Sequence, residues 1–279
     1  MKIKITTLSE NSAKAGGFLA EWGISMHVEV GGLRVLFDTG GGISAARNAA
    51  KLGVDLAAID CIVLSHGHYD HTGGLREVLK SSGPKRIIAH PDIWAGKYDS
   101  FLEGLQHRYI GIPFTREELE GLGASFELSR EPVRISETVM TTGEIPMTTD
   151  YEAVEEYLLV GEGEAKQPDA LADDLALIID ADFGLVVLLG CAHRGIVNTL
   201  RRARALTGRE TVYAVIGGTH LLHASPERLV KTAADLREMG VQYVGVSHCT
   251  GFNASAFLAQ EFGSSFFLNN AGTQLTLPF

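Results

Sequence analysis

The stretch that most restricts what this chain can become is Ser65-His66-Gly67-His68-Tyr69-Asp70-His71. His66, His68, Asp70 and His71 are all side chains that bind metals, and they follow directly on the apolar run Ile62-Val63-Leu64. Imidazole nitrogen and carboxylate oxygen are donors that borderline divalent ions such as Zn²⁺ accept. A strand ending at Leu64 would deliver all four to one sheet edge, where a loop can fold around ions. In extended backbone His66 and His68 point the same way and can grip one ion together. Asp70 and His71 follow where the chain turns and can serve a neighbouring ion. Gly67 permits the tight path. Thr72-Gly73-Gly74 then leads into a helical stretch, Leu75 to Lys80, whose N-terminus would lie beside the site. Histidines also collect on exposed loops, but three with an Asp in this spacing are hard to produce that way.

The rest of the chain reads as strands and helices intermixed. Ile3 to Leu8, Met26 to Val30 and Arg34 to Phe37 have strand character, with a hairpin signal at Gly31-Gly32. Ser44 to Leu52 reads as a helix, Cys61 to Leu64 and Arg86 to Ala89 as strands. From His90 to about Gln167 the pattern loosens and prolines gather. Candidate strands there are Ser125 to Leu128 and Val133 to Ile135; candidate helices are Thr115 to Leu122 and Tyr151 to Leu159. The acidic group Glu152, Glu155, Glu156, Glu162 and Glu164 reads as solvated surface. Regularity returns with the hairpin Leu175 to Ile179 and Leu185 to Leu189. Helix Gly195 to Leu206, strand Val212 to Ile216, helix Pro226 to Met239, strand Tyr243 to Val246 and helix Ala254 to Glu261 follow. The expectation is a single domain over 1–279, with 91–167 an elaboration covering the site. The two halves echo each other weakly, each with a strand ending in a ligand-type residue.

With 45% hydrophobic and 21% charged residues, the composition is that of a globular protein. No apolar run is long enough for a membrane helix, and the N-terminus lacks the apolar block of a signal peptide. The net charge of −10 argues against nucleic acid or an anionic membrane as partner. It is no bar to an anionic small molecule, because a metal can dominate the local field. Three cysteines, Cys61, Cys191 and Cys249, do not make a disulfide framework, and a cytoplasmic setting is expected. Oligomeric state is left open.

Further candidates lie past the ends of other strands. His193, in Gly190-Cys191-Ala192-His193-Arg194-Gly195, and His248 are each expected to ligate a metal. Cys191 is either a thiolate ligand bridging ions or a small apolar residue at a strand end. Cys249 reads as structural and Cys61 as core. His220, after Gly217-Gly218-Thr219, is expected to act as a general acid or substrate contact. Asp38 follows Val35-Leu36-Phe37, where its carboxylate could orient a ligand imidazole; Asp174 has a weaker claim of the same kind. His27, His90, His107 and His223 lack comparable context.

Together these residues resemble the metallo-β-lactamase superfamily. Its hallmark frame is His66-x-His68-x-Asp70-His71, and Asp38 and His248 match its flanking motifs. Within it the chain is similar to a branch of dihydropterin–aminobenzene ribofuranosyl-phosphate synthases. The stretches that carry this are Leu36-Phe37-Asp38-Thr39-Gly40, Thr142-Gly143-Glu144-Ile145-Pro146, Gly190-Cys191-Ala192-His193-Arg194-Gly195-Ile196-Val197-Asn198 and Gly217-Gly218-Thr219-His220-Leu221. The resemblance implies an α/β fold, a four-layer αββα sandwich with a two-metal site at one edge. One departure stands out: superfamily members usually carry a bridging Asp where this chain has Cys191, and His193 lies two residues past it. Zinc is the expected ion, one or two per chain, with Mn or Fe as alternatives. The expected activity is metal-dependent hydrolysis or transfer on a phosphorylated, pterin-related small molecule. Ions that lower the pKa of bound water to roughly 7 would serve it, with Asp70 binding metal and orienting the nucleophile and His220 protonating the leaving group. The competing classes are a non-catalytic metal- and ligand-binding module and a redox protein of flavodiiron type, whose frame carries Glu where this chain has His68.

Overall fold

A computed structural model describes residues 1–100, 107–163 and 165–279. The expected Glu164 surface position lies outside the described residues. Two large sheets carry the fold. In the first, seven strands lie in the order Gln274–Leu277, Ile3–Ser9, Ser25–Val30, Leu33–Phe37, Cys61–Val63, Lys85–Ala89 and Ala124–Leu128. In the second, six lie in the order Phe266–Leu268, Tyr243–Ser247, Val212–Gly218, Gly184–Leu189, Ala176–Ala181 and Val139–Thr141. Each sheet joins an antiparallel hairpin to a run of parallel strands. Leu33–Phe37 begins the run in the first sheet and Gly184–Leu189 in the second.

Side-chain alternation along the strands builds the layers. Val35, Phe37, Cys61 and Val63 face Leu177, Ile179, Val186 and Leu188 in one core between the sheets. The intervening residues Leu36, Ile62 and Leu64 point outward beneath the helices Ser44–Leu52 and Leu75–Ser82. Ile178, Val187 and Val215 do the same beneath Ile196–Thr207, Pro226–Glu238 and Phe252–Phe262. The result is helix, sheet, sheet, helix. Strands covered on both faces explain why their sequences are almost uninterrupted apolar runs. Each fully buried Leu, Ile or Val there contributes about 1.5–3 kcal/mol.

The loose middle segment supplies a third, smaller sheet in the order Ala165–Pro168, Leu158–Glu162, Lys97–Asp99 and Arg108–Tyr109. It is fastened to the histidine loop. Ile110, Leu158 and Leu171 pack with Tyr69, and the Tyr69 N–H donates to the Ile110 carbonyl at 2.8 Å.

Three sequence expectations fail in this segment. No helix forms over Tyr151 to Leu159; the chain is irregular there and becomes a strand at Leu158. Tertiary contacts override the local helical pattern. The Glu152 carboxylate turns inward to accept the Val197 and Asn198 N–H groups, both at 2.9 Å, at the start of the Ile196–Thr207 helix. That partner removes Glu152 from solvent, and the Glu155 side chain is mostly buried, so the acidic group is not simply a solvated face. Val133 to Ile135 shrinks to one bridge, Arg134 with Met140. Pro132 precedes it and has no N–H for a ladder.

Candidate metal centre

Parallel strands of both sheets end at the same rim, and their first irregular residues carry the chemistry. Leu33–Phe37 leads to Asp38, Cys61–Val63 to the histidine loop, Gly184–Leu189 to Cys191 and His193, Val212–Gly218 to His220, and Tyr243–Ser247 to His248. The backbone is strained at these exits. Asp38 (φ 58°), Ala192 (φ 52°), His220 (φ 47°) and His248 (φ 53°) all occupy the left-handed region. Each such residue costs on the order of 1–3 kcal/mol, which the surrounding packing must offset. Gly190 sits among them because a Cβ there would lie 2.0 Å from Ser65 Oγ.

His66, His68 and His193 form one cluster. The Nε2 of His66 lies 3.0 Å from His68 Nδ1 and 3.2 Å from His193 Nε2. Tetrahedral zinc with bonds near 2.05 Å places its nitrogens about 3.3 Å apart, so this spacing suits one ion. Ser65 Oγ donates to Asp38 Oδ2 at 2.7 Å and is therefore free to accept from His66 Nδ1 at 2.9 Å. That leaves the His66 Nε2 lone pair bare toward the cluster. Burial, reinforced by neighbouring histidines, holds His66 and His193 well below the usual imidazole pKa. Burial does the same to His68. Three neutral imidazoles aimed at one another in a dry pocket are what a cation would reward.

Asp70, His71 and His248 form a second cluster. His248 Nε2 is 3.1 Å and His71 Nε2 3.9 Å from Asp70 Oδ2. His71 Nδ1 donates to Asp38 Oδ2 at 2.7 Å, which turns its Nε2 toward the cluster and toward Cys191 Sγ, 3.1 Å away. Burial opposes a charge on His71, but Asp38 and Asp70 outweigh it and lift its pKa to about 9. Burial likewise opposes ionisation of Asp70, and His71 and His248 outweigh it, so its carboxyl stays below the usual range. Cys191 Sγ also groups with His66 and His71, between the two clusters. Burial pushes its thiol well above the ordinary value, so a cation beside it would be what stabilises the thiolate.

The residues expected from the sequence thus lie together: His66, His68, Asp70, His71, Cys191, His193 and His248 in the clusters, with Asp38 behind His71. Asp174 does not hold an imidazole. Its Oδ2 accepts the Arg194 N–H at 2.9 Å, and burial raises its pKa to about 7. His27 and His90 join none of these clusters, while His223 lines the cavity above them.

Several supporting residues were not anticipated. Asn11 Oδ1 lies 2.9 Å from His248 Nδ1, and Glu10 Oε1 accepts the His248 N–H at 2.7 Å, so together they fix that imidazole. Lys97, buried, donates to Asp169 Oδ2 at 2.7 Å and to Asp173 Oδ1 at 2.8 Å. The other oxygen of Asp173 accepts the Gly67 N–H at 2.8 Å, bracing the loop between His66 and His68. Glu155 Oε1 lies 2.9 Å from His220 Nδ1. Of these only Glu155 was singled out in the sequence, and there as part of a solvated acidic group; the others have none of the spacing that marks the histidine loop.

A cavity of about 180 Å³ lies above the clusters, reached by His68, Asp70, His193, His220 and His248. Asp99, Arg108, Tyr157 and Leu158 of the middle segment form part of its wall. A divalent ion at either cluster would meet only nitrogen, oxygen and sulfur donors, a set suited to zinc.

Comparison with known proteins agrees with this geometry. The profile of the metallo-beta-lactamase superfamily matches residues 25–206, more than half of the chain. The chain is 35% identical to the 7,8-dihydropterin-6-methyl-4-(beta-D-ribofuranosyl)-aminobenzene-5'-phosphate synthase of Methanocaldococcus jannaschii, covering 97% of this chain and 95% of that protein. It is 32% identical to an uncharacterized protein of the same organism, over 87% of this chain and 89% of that one. The crystal structure of Tm1679, a metal-dependent hydrolase of the beta-lactamase superfamily, superposes with a TM-score of 0.84 at 30% identity, covering 98% of both chains.

Proposed function

This chain belongs to the metallo-β-lactamase superfamily, in the branch resembling the dihydropterin–aminobenzene ribofuranosyl-phosphate synthase, and on that premise we propose that it is a metal-dependent enzyme transferring or hydrolysing a phosphorylated, pterin-related small molecule. The observation that carries this reading is the paired donor sets, His66/His68/His193 and Asp70/His71/His248, at the floor of one cavity with Cys191 between them. His66, His68 and His193 would hold one ion and Asp70, His71 and His248 a second, zinc being the ion the donors favour. Ions bound there would neutralise a phosphate and activate a nucleophile at neutral pH.

The remaining steps fall to side chains. Asp38 keeps His71 facing the second cluster, as Asn11 and Glu10 keep His248. Asp70 also reaches the cavity, where it orients the incoming nucleophile. His220 stands beside His193, ring centroids 4.1 Å apart, with Nδ1 tied to Glu155. That tie leaves Nε2 for the cavity, where it supplies the proton to a departing oxygen. Glu155 fixes the ring and stabilises the charged form, the role of an orienting carboxylate. Arg108 at the cavity wall, paired with Asp99 at 3.3 Å, offers guanidinium N–H groups on the substrate side.

The test is product analysis. Zinc-loaded protein is offered a phosphorylated dihydropterin with and without (β-D-ribofuranosyl)aminobenzene 5'-phosphate. Turnover that chelator abolishes, zinc restores and His220→Ala lowers at least a hundredfold supports the reading. Coupled product marks transfer, and the free pterin alcohol marks hydrolysis. Metal binding with no turnover of phosphomonoester, phosphodiester or pterin substrates would make the chain a binding module instead.

A further inference from the structure

A second and larger cavity, about 500 Å³, runs beside the metal cavity. Its walls come from the Phe252–Phe262 helix, the Tyr243–Ser247 and Phe266–Leu268 strands and the loop holding Trp22. Four large apolar side chains that folding leaves in solvent surround it: Trp22 (49% exposed), Leu222 (44%), Phe252 (84%) and Leu268 (54%). Scattered singly, exposed apolar residues mean little, but a set converging on one concavity marks a binding surface. The volume is that of a small-molecule site.

The two cavities are not independent. Trp22, Leu222 and His248 line both. The Trp22 ring stands edge-on to His248, centroids 5.0 Å apart. A molecule seated along the apolar groove therefore has one end at the metal centre. The metal side is polar, with five histidines, Arg108, Asp70 and Asp99 on its walls; the groove side is mostly apolar, with the Glu10 carboxylate and a few hydroxyl and amide groups at its edges. A bare sugar phosphate would use only the first.

We propose that the groove between Trp22, Leu222, Phe252 and Leu268 binds the flat apolar or aromatic body of the substrate while its anionic end reaches the metal cavity. The substrate class is then an anion with an aryl-sized body. The anionic half of this statement rests on the function proposed above; the groove itself rests on its own walls.

The test uses zinc-loaded full-length protein, isothermal calorimetry and three probes: 1-naphthylphosphonate, methylphosphonate and neutral 1-naphthol. Ala256→Phe, at an exposed helix position lining the groove, fills it while replacing no metal ligand. The expected result is naphthylphosphonate binding at least tenfold more tightly than methylphosphonate, with the advantage lost in Ala256→Phe while methylphosphonate affinity holds. Naphthol binding that Ala256→Phe abolishes upholds the groove even if neither phosphonate binds, in which case the anionic reading alone fails. Equal affinities for the two phosphonates with no naphthol binding overturn the proposal. So does a wild-type dimer by sedimentation that Phe252→Ser converts to monomer, because a second copy would then cover the groove.

Discussion

Removing the ammonium of Lys97 should be among the most damaging single changes outside the metal ligands. Lys97→Met keeps the length and most of the volume but leaves Asp169 and Asp173 facing each other in the interior. Breaking a buried ion pair from one side costs about 3–5 kcal/mol, because a charge is left uncompensated. Burial already pushes the Asp173 pKa up, and Lys97 is the main group restraining it. In the variant Asp173 escapes the penalty by taking up a proton. A carboxyl whose folded pKa lies above its unfolded value binds more protons when folded, so the variant's stability falls as pH rises between the two values. Each pH unit in that window is worth about 1.4 kcal/mol. Urea unfolding at pH 5 and pH 8 reads this directly: the gap from wild type should be small at pH 5 and reach about 3–5 kcal/mol at pH 8. Lys97→Met combined with Asp169→Asn and Asp173→Asn should recover much of the loss. A pH-independent deficit under about 1 kcal/mol would refute the reasoning, placing the triad with solvent-screened pairs.

Three further perturbations probe the scaffold around the centre. Asp38→Ala removes the acceptor that aims His71 and should weaken zinc affinity about 10–100-fold, measured by chelator competition. Glu152→Ala strips two N–H groups of the Ile196–Thr207 helix of their acceptor and should cost about 1–2 kcal/mol in urea unfolding. Gly190→Ala places a methyl against Ser65 Oγ and should cost about 1–3 kcal/mol; unchanged stability would show that the rim relaxes freely.

The histidine loop was legible because a metal demands several donors in a few residues, and that demand survives in linear spacing. His193 and His248 were legible for a different reason: each follows an apolar strand, and in parallel sheets the ends of strands meet. Apolar runs alternating with helical periods marked an α/β chain, and the four layers were implied by the superfamily resemblance. The middle segment was legible only in part: the helix near Thr115 to Leu122 and the strand Ser125 to Leu128 form, and the remainder departs from its local pattern. Glu152 and Tyr151 look like the start of a helix, yet a helix N-terminus 45 residues on takes the carboxylate. Lys97, Glu10, Asn11 and Glu155 act through a few long-range hydrogen bonds, which leave no periodic trace. For Lys97 the partners are set by how the small sheet lies against the histidine loop, and for Glu10 and Asn11 by how the ends of the two large sheets meet at His248, tertiary facts with no local signature.

Elemental analysis of the purified protein, alone and as single variants, tests most directly whether separate segments cage ions. Two zinc equivalents per chain are expected, falling to about one in both His193→Ala and His248→Ala as each cluster loses a donor. Wild-type protein that takes up no divalent ion from zinc-supplemented buffer, or variants that retain the full complement, would contradict the account.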